Sequence, residues 1–328
     1  MQDILTCAMG LDIHRDVIVA CLAKGELGTD PEIEIRSFST LIPEMRKLRD
    51  WVLEAECRYV AMESTGIYWQ PIYEMLEPCF DGQINILVVN ARHMKNVPGR
   101  KTDMRDAQWI ATLLRAGLLK GSFIPDKTFR ELRHLTRYRK SIVRDITAQK
   151  NRIDKFLQSS GFRFTAFLSD AFGASGRNII RHLMEYGNIS REALDRCLKT
   201  QTRKRIDEIL IALNGSLSEH QRGFLRMIFG HLEALEQHRH TVEDAITKEI
   251  TKHEEALSLL CSIPGIDVTA AAAIIAEIGT DMSAFPDSQH ICSWAGLSPG
   301  NNESAGKRKS AHINNCLLYT SPSPRDTR

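Results

Sequence analysis

Three short runs rich in β-branched and apolar residues follow one another before any helical signal intervenes, and this order restricts the fold more than any other feature of the chain. Ala8 to Ile13 and Val17 to Ala23 are separated only by the polar His14-Arg15-Asp16, the pattern of a hairpin, and Ile33 to Phe38 supplies a third strand. The spacing of Leu41, Met45, Leu48, Trp51 and Val52 predicts a helix over Leu41 to Ala55. Tyr59 to Met62 reads as a short buried strand ending at Glu63; a helix from Tyr68 to Leu76, a strand from Ile84 to Val89 and a helix from Asp103 to Leu118 follow. The order β-β-β-α-β-α-β-α is that of an RNase H-like mixed sheet, whereas doubly wound dinucleotide folds begin β-α-β.

From Asp126 the period changes. Phe129, Leu132, Leu135, Ile142, Ile146, Ile153 and Phe156 recur at coiled-coil spacing, and residues 217–258 repeat the pattern with Leu217, Phe224, Leu225, Ile228, Leu232, Leu235, Val242, Ile246 and Ile250. Two long amphipathic helices flanking a variable segment, 161–216, predict an antiparallel hairpin or a dimerising coiled coil; a bundle packed only on itself fits equally. Beyond Leu257, Ser262-Ile263-Pro264-Gly265-Ile266 is a turn entering an Ala-rich helix, Val268 to Ile278, with Gly279 as its C-cap and a further short helix from Phe285 to Leu297.

A length of 328 residues exceeds the usual single domain. Formal charge is only +2, so any nucleic-acid function must come from local clustering of Lys and Arg. That clustering exists: Lys127 to Lys155 holds ten basic residues against three acids, and Arg133, Arg137, Lys140 and Arg144 are the candidate phosphate contacts on it. Lys307-Arg308-Lys309 is a second basic patch. The eight cysteines form no C-x-x-C pair, which argues against a zinc site or a disulfide framework. No signal peptide and no membrane-length apolar window occur, so the expected setting is the cytoplasm, nucleoid-associated in a bacterial-type cell.

Four carboxylates stand out by placement. Asp12 lies inside the apolar first strand, where a charge is costly unless it is paired or binds a cation. Glu63 ends the fourth strand before Ser64-Thr65-Gly66, and Asp103 and Asp106 lie three apart at a helix start, on one face. Singly, each has a plainer reading: a helix cap, a partner for a nearby Arg, a surface acid. In an RNase H-like layer the first strand, fourth strand and last helix converge, and all four acids then share one pocket. Such a cluster needs cations, and hard oxygen donors select Mg²⁺ or Mn²⁺. Metal-assisted phosphodiester chemistry is the expected use.

At these residues the chain resembles a known family. Gly10-Leu11-Asp12, Glu63-Ser64-Thr65-Gly66-Ile67-Tyr68 and Lys101-Thr102-Asp103-Met104-Arg105-Asp106-Ala107 resemble the motifs of the DEDD transposases of the insertion-sequence one-ten and eleven-eleven group, the bridge-RNA-guided recombinases. Ser262-Ile263-Pro264-Gly265-Ile266, Trp294-Ala295-Gly296-Leu297-Ser298-Pro299 and Glu303-Ser304-Ala305-Gly306 resemble its C-terminal domain. The resemblance implies a RuvC-like nuclease domain over 1–122, a helical coiled-coil segment over 123–256 and a small, mostly helical transposase domain over 257–315, truncated before a non-native, adapter-like tail at 316–328. It implies metal ligation by Asp12, Glu63, Asp103 and Asp106 and a serine nucleophile at Ser304. The serine-glycine pair often seen there is Ser304-Ala305 here, with Gly306 one step later; Ser298 and Ser310 stand nearby as alternatives. DNA, a guide RNA and a second or fourth copy of the chain are the implied partners. Two other readings stay open: a RuvC-like junction resolvase that uses water, and a nucleic-acid-binding relic without catalysis.

Overall fold

In a computed structural model, which describes residues 3–64, 66–90, 106–295, 302–304 and 307–310, the expected hairpin forms as β1 (Cys7–Ile13) and β2 (Val17–Lys24), closed by the His14 amide donating to the Val17 carbonyl at 2.9 Å. β3 (Glu32–Ser39) pairs antiparallel with β2. The chain then passes through α1 (Ile42–Glu54), β4 (Tyr59–Glu63), α2 (Trp69–Leu76), β5 (Asn85–Val89) and α3 (Asp106–Arg115). The sheet order is β3-β2-β1-β4-β5, with β4 parallel to both β1 and β5. This mixed five-stranded sheet is consistent with the RNase H-like layer that the element order predicts.

The two faces of the sheet are filled differently, and the alternation along β1 shows why. Met9, Leu11 and Ile13 join Met45, Leu48, Trp51 and Ile72 of α1 and α2 in one core. Ala8, Gly10 and Asp12 point to the other face, where α3 lies on Ala8, Ala61, Cys21 and Ala23 through Ala107, Ile110, Ala111 and Leu114. Small residues on both sides let this helix sit close. The far end of α3 is anchored by Arg115, 1% exposed, whose guanidinium donates to the carbonyls of Leu5 (3.0 Å), Gly25 (3.2 Å) and Glu26 (2.7 Å).

The chain divides into two compact units, Met1–Ile124 with Ser283–Arg328, and Pro125–Met282. In the second unit α4 (Lys127–Ser159) and a later helix of 32 residues, Glu219–Ile250, lie antiparallel: Phe156 meets Phe224, Gln149 meets Ile228 and Arg139 meets Glu243. Buried Gln149, 1% exposed, donates to the Ile228 carbonyl at 2.6 Å, a polar contact that fixes the register of the two helices. Between them run α5 (Ala174–Tyr186), α6 (Arg191–Cys197), α7 (Thr200–Arg203) and α8 (Ile206–Ala212); of these, α5, α6 and α8 contribute Ile179, Ile180, Leu183, Leu194 and Ile209 to the same core. The Glu219–Ile250 helix, α9, starts at a reciprocal cap: the Gln221 amide donates to Ser218 Oγ (3.2 Å) and the Ser218 amide to Gln221 Oε1 (2.8 Å).

The apolar pattern that runs on to 258 is interrupted by a 3₁₀ turn at Thr251–His253 before α10 (Glu254–Cys261). The Pro-Gly turn follows, with Gly265 at φ 92°, and α11 (Val268–Ile278) begins under an Asp267 side chain that accepts from the Ala270 amide at 2.7 Å. Gly279 ends that helix at φ 71°. In the first unit α12 (Ser288–Trp294) is followed by a hairpin of β6 (Asn302–Ser304) and β7 (Lys307–Ser310). Phe123, Phe285 and Trp294 stack edge to face, with centroids 4.9 to 6.1 Å apart, and join this C-terminal stretch to the residues that follow α3.

Candidate functional site

The acidic edge is built by one glycine and one register. A Cβ on Gly10 would stand 2.2 Å from the Ala107 carbonyl oxygen and 2.4 Å from the Ala111 nitrogen, so glycine alone lets the first turns of α3 cross β1 there. That crossing brings Asp106, the first residue of α3, to the face and end of the sheet where Asp12 lies two residues beyond Gly10. The parallel pairing Gly10↔Ala61 and Leu11↔Met62 sets Glu63 alongside Asp12 at the next step. Since Ala61 packs under α3, Glu63, two residues further, shares its face. The Ser64 amide donates to the Val89 carbonyl at 2.9 Å, which holds the end of β4 against β5.

Asp12 is 6% exposed. Its Oδ2 lies 3.2 Å from His14 Nε2, and that imidazole is 60% exposed. His14 was not singled out in the sequence, where it reads as one of three polar turn residues; its position two residues beyond a strand acid is the signal that it would reach back. Asp106 lies in the first described turn of α3.

The donor chemistry of these residues, carboxylate oxygens at one end of the sheet, suits a hard divalent cation. Among the described residues, however, no three acid, histidine or cysteine side chains converge closely enough to hold a metal ion. The fourth acid, Asp103, lies outside the described residues, as do Ser298 and the 316–328 tail.

For Ser304, Lys307, Arg308, Lys309 and Ser310 the structure describes the backbone. Ser304 lies in a strand, opposite Lys307, and Glu303 lies opposite Arg308; Asn302 pairs with Ser310, and the irregularity between Asn302 and Glu303 leaves Lys309 as the extra residue. This hairpin belongs to the same unit as the acidic sheet edge.

The four candidate phosphate contacts on α4 separate into two pairs. Arg133 donates to the carbonyls of Ala276 (3.3 Å) and Glu277 (2.7 Å), at the end of α11 where helix carbonyls lack intrahelical partners, and its Nε lies 3.0 Å from Glu277 Oε2. Burial pulls the Arg133 guanidinium pKa down, and the Glu277 carboxylate opposes that shift. Arg137 grips the same carboxylate at two points. Their side chains are 15% and 24% exposed. Lys140 and Arg144 are exposed and make no hydrogen bond or ion pair among the described residues. Glu277 went unnoticed in the sequence, although it is the one acid of the Ala-rich helix 268–278.

Comparison with known proteins gives matches at both ends of the chain. A family model of DEDD type described as "Transposase" matches residues 9–161, and one described as "Transposase IS116/IS110/IS902 family" matches residues 257–316. A Streptomyces coelicolor protein, the "Insertion element IS110 uncharacterized 43.6 kDa protein", is 28% identical over 222 residues, 62% of this chain and 53% of that protein. The chain thus spans about half the length of this relative.

Proposed function

Because the chain belongs to the IS110 family of DEDD transposases, we propose that it is the recombinase of an insertion sequence, cutting and exchanging DNA strands with Ser304 as nucleophile and a bridge RNA as guide. The observation that carries this reading is the sheet end shared by Asp12, Glu63 and Asp106, two neighbouring strands and a helix seated on Gly10. Together with Asp103 these residues would hold Mg²⁺ or Mn²⁺. When bound, the cation supplies positive charge for an attacking oxygen and for the oxygen that leaves.

Ser304 Oγ attacks a backbone phosphorus as the bond to a deoxyribose oxygen breaks, and the serine proton ends on that departing oxygen. The phosphoserine ester keeps the bond energy, so a hydroxyl from another strand reverses the step, releases Ser304 and rejoins the DNA without ATP. Lys307 and Arg308 flank the serine and its neighbour across the hairpin and position the scissile phosphate. Lys140 and Arg144, exposed on α4, contact the phosphates of the guide RNA. Two element ends must be cut together, which calls for a dimer or tetramer. Among the described residues no helix is long and apolar enough to cross a membrane.

The test is a cleavage reaction on DNA carrying the element's ends, with guide RNA and Mg²⁺, quenched in detergent. The expected result is a covalent protein-DNA adduct that disappears in Ser304→Ala. Cleavage with no adduct in the unaltered protein would move the assignment to a water-using resolvase, and an adduct in Ser304→Ala would move the nucleophile to Ser298 or Ser310.

A further inference from the structure

The hairpin carries one more polar side chain to the acidic end of the sheet. The antiparallel register of β1 and β2 runs from Cys7↔Lys24 to Ile13↔Ile18. The His14 amide, donating to the Val17 carbonyl at 2.9 Å, extends that register by one step. His14 therefore continues the alternation of β1, in which residues two apart share a face with Cα atoms about 7 Å from each other. That face is the one Asp12 shares with Ala8 and Gly10, on which α3 lies. The turn is held from a second side, where Thr40 Oγ1, just past β3, donates to the Arg15 carbonyl at 2.9 Å.

The contact that results differs from the other histidine–acid pairs among the described residues. His290 meets Asp287 and His240 meets Glu243, each three residues apart, with acid side chains 52% and 29% exposed. The Asp12 side chain is 9% exposed, and the imidazole whose Nε2 lies 3.2 Å from its Oδ2 is 60% exposed. A ring recruited for packing would be enclosed. A carboxylate turns about its Cβ–Cγ bond in a broad, nearly two-fold potential, so burial alone does not fix the plane of the Asp12 oxygens. A hydrogen bond from Nε2 to Oδ2 does. Mg²⁺ demands near-ideal octahedral geometry, and a carboxylate that binds it is ordinarily held by a further hydrogen bond.

Resting on the reading of Asp12 as a metal ligand, we infer that His14 is a positioning residue of the acidic site. With its proton on Nε2, the imidazole holds Oδ2 of Asp12 and leaves Oδ1 as the oxygen that the cation takes. His14 acts through Asp12 and is not itself a ligand. The hairpin hydrogen bond that fixes its backbone is what gives the ring a set reach.

The test titrates the full chain with Mn²⁺ and follows the free-ion signal by electron paramagnetic resonance, so that binding is read without cleavage. Asp12→Asn should remove most of the binding. His14→Ala and His14→Phe should weaken it by roughly 10–100-fold, the usual effect of removing a partner that orients a metal ligand. His14→Gln, whose amide N–H can stand in for Nε2–H, should stay closer to the unaltered chain than to His14→Ala. Pulsed resonance on the bound ion should show no directly bonded imidazole nitrogen in the unaltered chain. Unchanged affinity in His14→Ala and His14→Phe, with Asp12→Asn impaired, would overturn this inference and leave the metal reading standing. So would a directly bonded nitrogen that disappears in His14→Phe, or a His14→Gln variant as weak as His14→Ala. No Mn²⁺ binding by the unaltered chain, or full binding by Asp12→Asn, would overturn the metal reading and this inference with it. The unaltered chain and His14→Gln decide the matter even if His14→Ala folds poorly.

Discussion

Arg137 and Glu277, 140 residues apart in the chain, meet in a two-point ion pair: Nε to Oε1 at 2.8 Å and Nη2 to Oε2 at 2.9 Å. Arg133 reaches the same carboxylate and the carbonyls beside it. This carboxylate fastens the end of α11 to α4, so two arginines with the sequence signature of phosphate contacts hold the fold together.

Glu277→Ala should therefore lower stability by about 1–3 kcal/mol, because it strands two partly buried guanidinium groups, while leaving nucleic-acid affinity near its original value. Urea denaturation and an RNA-binding titration on the same preparation check both halves. A large drop in affinity at unchanged stability would return Arg133 and Arg137 to the binding face.

The exposed pair should behave in the opposite way. Lys140→Gln with Arg144→Gln leaves the urea midpoint where it was and weakens RNA binding, flattening the salt dependence by roughly 0.7–0.9 log units of slope for each phosphate that is no longer neutralised. An unchanged slope would assign this face to solvent or to another copy of the chain.

Asp12→Asn should abolish DNA cleavage in Mg²⁺ while the melting temperature holds or rises, since it removes a charge from a buried position whose hydrogen-bonding partner, His14, is largely exposed. Gel cleavage assays and calorimetry measure the two effects. Full cleavage by this variant would remove Asp12 from the active centre.

Gly10→Ala tests the seat of α3 without touching an acid. The added methyl meets the Ala107 carbonyl at 2.2 Å, so α3 must shift. The expected cost is about 1–3 kcal/mol from overpacking, with cleavage abolished because Asp106 moves with the helix. Cleavage at the original rate would mean that the position of α3 does not matter to the chemistry.

Much of the first unit was legible from the chain because its signals are local. Leu41, Met45, Leu48, Trp51 and Val52 mark one helical face, and four of them, Met45, Leu48, Trp51 and Val52, are buried on α1. Asp12 stood out because an acid interrupts an apolar strand. What was not legible depended on partners distant in sequence. A count of charges from Lys127 to Lys155 cannot see Glu277. Periodicity alone carried the second long helix through to 258, whereas the helix turns tighter at Thr251–His253, where the polar Thr251-Lys252-His253 falls between Ile250 and Leu257. Asn301-Asn302-Glu303 reads as a loop because strand propensity is weak there; the pairing of Asn302–Ser304 with Lys307–Ser310 supplies what local composition lacks.

The unit that holds the acids is discontinuous: it leaves the chain's path at Ile124 and resumes at Ser283. On the ribosome this sets a schedule. At roughly 5–20 residues per second, the stretch Pro125–Met282 takes on the order of ten to thirty seconds to synthesise. Throughout that interval the five strands and α3 stand without Phe285, Trp294 and the serine-bearing hairpin. A nascent chain can thus fold its long helices before the first unit is whole, and the segment that completes that unit is made only after the second.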